Sequence, residues 1–218
     1  QSSQERASER HSRNFFGRRS AAAVWFRCEC ELAARSNNFA ANIMEPTASS
    51  ASDAHPLPER WSFWFDRFSS DATFEASIQE LTSFASVEGF WRTYCHLARP
   101  SALGNGDNYH VFRGDRPPAW EAMPNCGTWL HRLDRASPEL DALWERLLLA
   151  MVGEALGEPC VAGAILSVRK LDATLSVWIA DASDAEQNRR VGCRLREALE
   201  LDDGALTWRS SNAHRRPM

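Results

Sequence analysis

Lysine is almost absent from this chain: Lys170 stands alone, and arginine supplies the rest of the 25 basic residues, against 29 acidic ones. The net charge is −4. A general nucleic-acid coat, which grips phosphates through a wide cationic face, is therefore excluded, and any nucleic-acid contact should be small and focused. Long apolar runs are missing too; nothing approaches the roughly 18 consecutive apolar residues of a membrane-spanning helix. Residues 1–20 are polar and Arg-rich, and the apolar run Ala21–Phe26 is too short for the core of a secretory signal. Of Cys28, Cys30, Cys95, Cys126, Cys160 and Cys193 only the first two are close, and no second pair or His-x-x-x-His follows. No metal site is expected from that spacing. Reduced thiols in a cytosolic or nuclear compartment are the default. Neither Cys95 nor Cys126 is accompanied by an oriented acid or second base, and the histidines form no motif. No catalytic residue and no cofactor can be nominated on such a pattern.

What the chain does have is tryptophan, nine against two tyrosines. An indole is large and carries an N–H that wants a partner, so a surplus belongs either to a core or to a stacking site. The 218 residues suit one domain, or one domain plus a tail. Residues 1–54 look unlike the rest. Gln1–Arg19 is aperiodic Ser, Arg, Gln and Glu, and Glu45–Ala54 is too poor in apolar side chains to offset its ordering entropy. Residues 1–54 are expected to be a disordered tail or upstream sequence, with Met44 a candidate start, and residues 55–218 the folded domain.

From His55 onward the pattern tightens. Trp61–Phe65 reads as a short aromatic strand behind the extended His55-Pro56-Leu57-Pro58. Ile78, Leu81 and Phe84 leave their segment ambiguous between helix and strand. Ser86 is a candidate N-cap for a helix whose Val87, Phe90, Trp91 and Tyr94 share one face. Tyr109–Phe112 and Thr128–Leu133 alternate as strands. Ser137-Pro138-Glu139 opens a helix carrying Leu140 to Met151 that should stop at Gly153 or Gly157. Ala162–Val168 and Leu175–Ala180 read as paired strands, a third helix is expected from Asp184 to Leu199, and Ala205–Arg209 as a closing strand. Irregular alternation with hairpin connections implies an α+β fold, with helices on one face of an antiparallel sheet.

These segments, taken in order, resemble the eukaryotic initiation factor 4E family, the mRNA cap-binding subunit of translation initiation. The carriers are His55-Pro56-Leu57-Pro58-Glu59-Arg60-Trp61 with Trp64-Phe65, and Val87-Glu88-Gly89-Phe90-Trp91 with Tyr94. Pro118-Ala119-Trp120-Glu121, Gly127-Thr128-Trp129, Leu143-Trp144 through Gly153-Glu154, and Val168-Arg169 with Trp178 follow. The resemblance runs from about His55 to Leu201. It implies a curved antiparallel sheet of about eight strands, about three helices on its convex face and a ligand slot on the concave face.

The implied ligand is the 5′ 7-methylguanosine cap of mRNA. Methylation at N7 makes the base cationic, so two aromatic planes can hold it by stacking plus cation–π attraction, about 0.5–2 kcal/mol per contact. A carboxylate beside them accepts the N1–H and N2–H of guanine, and basic side chains take the phosphates. Carried over by position, Trp120 is one stacking plane and Phe74, where the family normally has Trp, the other. Glu121 reads guanine, Trp178 borders the methyl group and Arg169 meets the phosphate chain. Trp61, Trp64, Trp129 and Trp144 are assigned to packing. Further basic positions of the family fall on Thr128, Leu171 and Thr174, which implies a reduced phosphate grip.

A second surface, His55, Pro56, Val87, Trp91, Leu149, Gly153 and Glu154, matches the family's docking site for an initiation factor 4G-like scaffold or a 4E-binding protein, whose short helical motif would lie in a groove. Glu145 and Arg146 depart from the family there and imply an altered partner preference. The resemblance thus implies a binding protein rather than an enzyme, cytoplasmic with the nucleus as a second compartment. Its alternative is a divergent weak cap binder that represses translation or stores mRNA through a different partner.

Overall fold

The computed structural model describes residues 55–68, 77–114, 118 and 123–210. Seven strands form one curved antiparallel sheet. In chain order they are β1 (Pro56–Arg67), β2 (Gln79–Ser86), β3 (Asp107–Arg113), β4 (Gly127–Asp134), β5 (Val161–Val168), β6 (Asp172–Ile179) and β7 (Thr207–Ser210). Across the sheet the order is β2-β1-β3-β5-β6-β4-β7. Three helices, α1 (Val87–Tyr94), α2 (Leu140–Val152) and α3 (Ala185–Leu199), complete the described fold. The expectation of about eight strands is met by seven among the described residues.

Strand alternation divides the sheet into two chemically different faces. Trp61 and Phe63 of β1, Tyr109 and Val111 of β3, Ala164, Leu166 and Val168 of β5, and Ala173, Leu175, Val177 and Ile179 of β6 point one way and are buried. They form the main core with Phe90 of α1, Trp144 and its Leu neighbours on α2, and Val191, Leu195 and Leu199 of α3. The intervening residues, Ser62, Trp64 and Asp66, then Asn108, His110 and Phe112, then Ser176 and Trp178, face the other side. That second face carries a small cluster of Phe112, Met123, Cys126 and Ala162, against which Ile165, Trp178 and Ala180 pack.

Local chemistry explains most element boundaries. Ser86 has extended dihedrals and its Oγ accepts the Gly89 N–H at 3.1 Å, so α1 starts where a capping hydroxyl allows. Its apolar face is divided rather than single: Phe90 enters the core, Trp91 is half-buried, and Val87 remains at the rim. The segment of Ile78, Leu81 and Phe84 is resolved in favour of strand β2, paired along β1. β1 itself is longer than the aromatic run suggested, because Pro56 can begin a strand without needing a donor. α2 begins at Leu140, later than the Ser-Pro-Glu signature predicts: Ser137 Oγ accepts the Glu139 N–H at 3.3 Å in a turn that precedes the helix. Gly153 ends it as expected. Asp184 caps α3 by accepting the Gln187 N–H at 2.9 Å. Near the middle of α3, Gly192 lies against the Trp129 ring, where a Cβ would come within 2.5 Å of Cζ2.

Candidate functional site

Arg169 follows the last residue of β5 at the hairpin into β6, with its peptide N–H on the Asp172 carbonyl at 2.8 Å. Val168 before it is buried on the helix side, so alternation turns Arg169 to the second face. There its Nη1 donates to Asn108 Oδ1 and to the Val168 carbonyl, both at 2.9 Å. The guanidinium is thus held through Nη1, and Nε and Nη2 have no hydrogen-bond partner among the described residues. Trp178 lies on the same face, six residues along β6 from the Asp172 end of the hairpin, roughly 20 Å at the strand rise. Its ring meets Phe112 edge-on, with centroids 5.7 Å apart and planes at 72°. The face can thus hold an aromatic contact at one end and an anion contact at the other.

Phe74, Trp120 and Glu121 lie outside the described residues. The flanks of the second and third are described: Pro118 is buried, and Met123 packs with Phe112, Cys126 and Trp178 on the second face. Thr128 lies directly across from Trp178 in the β4–β6 register, and Thr174 across from Ser167. Leu171 is 76% exposed, and Lys170 sits beside it in the exposed turn. Among the described residues three other cations share this face: Arg132 is paired with Asp172, Arg60 bonds Ser83, and Arg209 stands across from Thr128 in the β4–β7 register. Of these cations Arg169 is the one held by Asn108, at the β5–β6 hairpin end of the face.

Sequence reasoning missed the residues that support Arg169. Asp66, Asn108 and His110 are buried on the second face, at 4%, 6% and 3% exposure. Asn108 Nδ2 donates to Asp66 Oδ2 at 2.9 Å and to the Gly106 carbonyl at 3.2 Å, and His110 Nε2 bonds the other Asp66 oxygen. Their only signal in the sequence is polar residues alternating with Trp61, Phe63, Tyr109 and Val111, which reads equally well as a solvated strand face. Nearby, Asp107 accepts from Arg67 Nε at 2.6 Å and from the Gly104 N–H at 2.7 Å. Burial pushes its carboxyl upward, but the Arg67 and Gly104 hydrogen bonds outweigh that and hold it below its usual range.

On the helix side the structure joins His55, Pro56 and Val87 at the start of α1 and places Leu149, Gly153 and Glu154 at the end of α2. His55 Nδ1 bonds Glu88 Oε1 at 2.6 Å, and its N–H reaches Oε2 at 3.0 Å. The hydrogen bond from His55 lowers the Glu88 carboxyl to about 2. Pro56 is opposite Ser86, and the Val87 N–H bonds the His55 carbonyl, which ties the start of β1 to the start of α1. Val87 is 38% and Leu149 40% exposed. Trp91 stands edge-on to Phe90 and Tyr94. Beyond Gly153, Glu154 takes a left-handed conformation (φ 55°) and receives both Nη atoms of Arg113 at 2.9 and 3.0 Å. The two departures on α2 are both engaged within the chain. Arg146 pairs with Glu200 at 3.0 Å. Glu145 lies near Tyr94, whose pKa rises through burial and then through that carboxylate.

Among the described residues no group of three His, Cys, Asp or Glu side chains could hold a metal, and no helix is long and apolar enough to cross a membrane. Comparison with known proteins gives one consistent answer. A profile of the eukaryotic initiation factor 4E family matches residues 56–217. Eukaryotic translation initiation factor 4E1 of Drosophila melanogaster is 33% identical over 174 residues, 74% of this chain and 67% of its own. Among solved structures, Caenorhabditis elegans initiation factor 4E-3 in complex with the 4E-binding protein Mextli superposes with a TM-score of 0.69 at 28% identity, covering 76% of this chain and 98% of that one. Ascaris suum initiation factor 4E-3 with an m7G cap gives 0.68 at 29% identity, covering 71% and 90%. The family profile spans nearly the whole described fold and the solved relatives share its curved sheet and helices, and the chain belongs to the eukaryotic initiation factor 4E family.

Proposed function

We propose that this chain binds the 5′ 7-methylguanosine cap of mRNA on the second face of its sheet and recruits a translation-initiation scaffold through its helical side. The observation that carries the reading is Arg169, pinned by Asn108 through Nη1, on the face that Trp178 shares. In this reading Trp120 and Phe74 sandwich the cationic base, Glu121 accepts its N1–H and N2–H, Trp178 borders the methyl group and Arg169 takes the phosphate chain. Discrimination follows from the ligand's charge, since an unmethylated guanine loses the cation–π attraction. Phe in place of Trp offers a smaller face, and the threonines and leucine at neighbouring basic positions leave a lighter phosphate grip. The dependence of cap affinity on salt is accordingly shallow.

On the other side, the exposed Val87 and Leu149 and the half-buried Trp91, with His55, Pro56, Gly153 and Glu154, offer apolar surface to one side of a short helix. The partner is an initiation factor 4G-like scaffold or a 4E-binding protein. No observation favours the alternative of a repressor or storage factor with a different partner: Glu145 and Arg146, which suggested it, are engaged by Tyr94 and Glu200. The protein acts as a binder and not a catalyst, in the cytoplasm with the nucleus as a second compartment, through a domain of residues 55–218 preceded by a tail of residues 1–54. The test is retention on immobilised 7-methyl-GTP. The full chain should be retained, released by free 7-methyl-GTP but not by GTP, and lost from the resin as Trp120→Ala. Unchanged retention of both Trp120→Ala and Glu121→Ala would refute the assigned site.

A further inference from the structure

The most unusual chemistry in the described fold is buried behind Arg169 rather than exposed beside it. Asp66 of β1 faces Asn108 of β3 directly across the strand pair, and His110 faces Trp64 one step along, so Asp66 and His110 are diagonal neighbours on one face. Burying an ionisable pair is costly, and apolar side chains of similar volume usually do as well or better for stability. Phe112 and Ile165 on the same face show that apolar packing is available there. Stability alone is thus a poor reason for the pair.

Hydrogen-bond directionality supplies a better one. The Gly106 carbonyl and Asp66 Oδ2 only accept, so the Asn108 amide must turn its NH2 toward them. That leaves Oδ1 facing Arg169, as donor geometry requires. Were the amide reversed, acceptor would meet acceptor at Asp66 and donor would meet donor at Arg169. His110 Nε2 donates to the remaining Asp66 oxygen, which keeps the carboxylate from rotating away. Because Arg169 meets a neutral amide rather than the carboxylate itself, it is oriented without a partner charge at contact distance, and its own charge remains available to an anion.

We infer that Asp66 and His110 are positioning residues for the anion end of the site: through Asn108 they hold the Arg169 guanidinium in the one orientation that presents Nε and Nη2 to a phosphate. The inference rests on the cap-binding reading and deepens it. An arginine held in advance loses little freedom when the phosphate arrives, so the residues behind it raise affinity without touching the ligand.

The experiment separates base from phosphate by comparing 7-methylguanosine, 7-methyl-GMP and 7-methyl-GTP on the full chain. Asp66→Ala should weaken 7-methyl-GTP about tenfold, the loss of one well-made charge-assisted contact, and leave 7-methylguanosine unchanged. Asp66→Asn, which can still accept from Asn108, should recover most of that loss. In an Arg169→Ala background Asp66→Ala should have no further effect, because the route runs through Arg169. Should Asp66→Ala leave His110 stranded and the protein unfolded, the paired replacement Asp66→Val with His110→Leu removes both groups together and gives the same ligand series. A parallel loss for nucleoside and triphosphate, or a 7-methyl-GTP affinity equal to that of the unaltered protein, overturns the inference. If the unaltered protein fails to prefer 7-methyl-GTP over GTP, the cap reading itself falls, an outcome distinct from either.

Discussion

Single side chains in this protein divide into those that anchor and those that present, and their acid behaviour separates them. Asp107 is buried and holds Arg67, Gly104 and the start of β3 together. Its carboxyl is lowered in the folded state, so its contribution is complete above the ordinary carboxylate range and disappears as the pH falls through and below it. Glu88, lowered to about 2 by its bond from His55, acts in the same direction at the surface. Urea denaturation should therefore show stability falling as the pH drops from about 5 toward 2. Asp107→Asn should cost about 1–3 kcal/mol at neutral pH, as for a hydrogen bond to a charged group, and flatten that decline. An unchanged profile for Asp107→Asn would mean that the Arg67 pairing contributes nothing. None of this was legible in the sequence, because Arg67 and Asp107 are 40 positions apart and meet only through strand register. Arg169 was nominated from its place in the family pattern. The residues that orient it were not, since their polarity alternates with the core in the way any solvent-facing strand does.

Among the elements, caps and breakers proved the most readable. Ser86, Gly153 and Asp184 mark boundaries where the structure places them, because each satisfies a local backbone group without help from the rest of the fold. The α2 start is displaced for the complementary reason: Ser137 makes its bond to Glu139 in a preceding turn, and burial of Leu140 then decides where the helix proper begins. The division of the α1 face was not readable either. Periodicity shows that Val87, Phe90, Trp91 and Tyr94 share a side but not how much of that side the sheet covers. α3 carries a constraint of its own. Gly192 lets the helix approach Trp129, whose Nε1 donates to the Asn188 carbonyl at 3.0 Å. Gly192→Val should destabilise the fold by about 1–3 kcal/mol, the usual cost of forcing volume into a packed contact, read as a lower urea midpoint with an unchanged slope. A midpoint matching the parent would show that Trp129 can move aside.

At the scale of the molecule, the sheet serves two purposes with two faces. One face is filled by α1, α2 and α3 and leaves Val87, Trp91 and Leu149 at its margin. The other keeps a stripe of aromatic, amide and guanidinium groups that a core would not choose. The α+β class and the helix-bearing face were legible from alternation and periodicity. The strand order was not, because β4 joins the sheet between β6 and β7, far from its neighbours in sequence. The central claim is that this second face recognises a purine made cationic by methylation. Intrinsic tryptophan fluorescence, titrated with 7-methyl-GTP and separately with GTP, tests it most directly. Two aromatic planes at about 0.5–2 kcal/mol each predict that 7-methyl-GTP quenches the signal at a concentration at least about fivefold lower than GTP does; equal affinities for the two nucleotides would contradict the account.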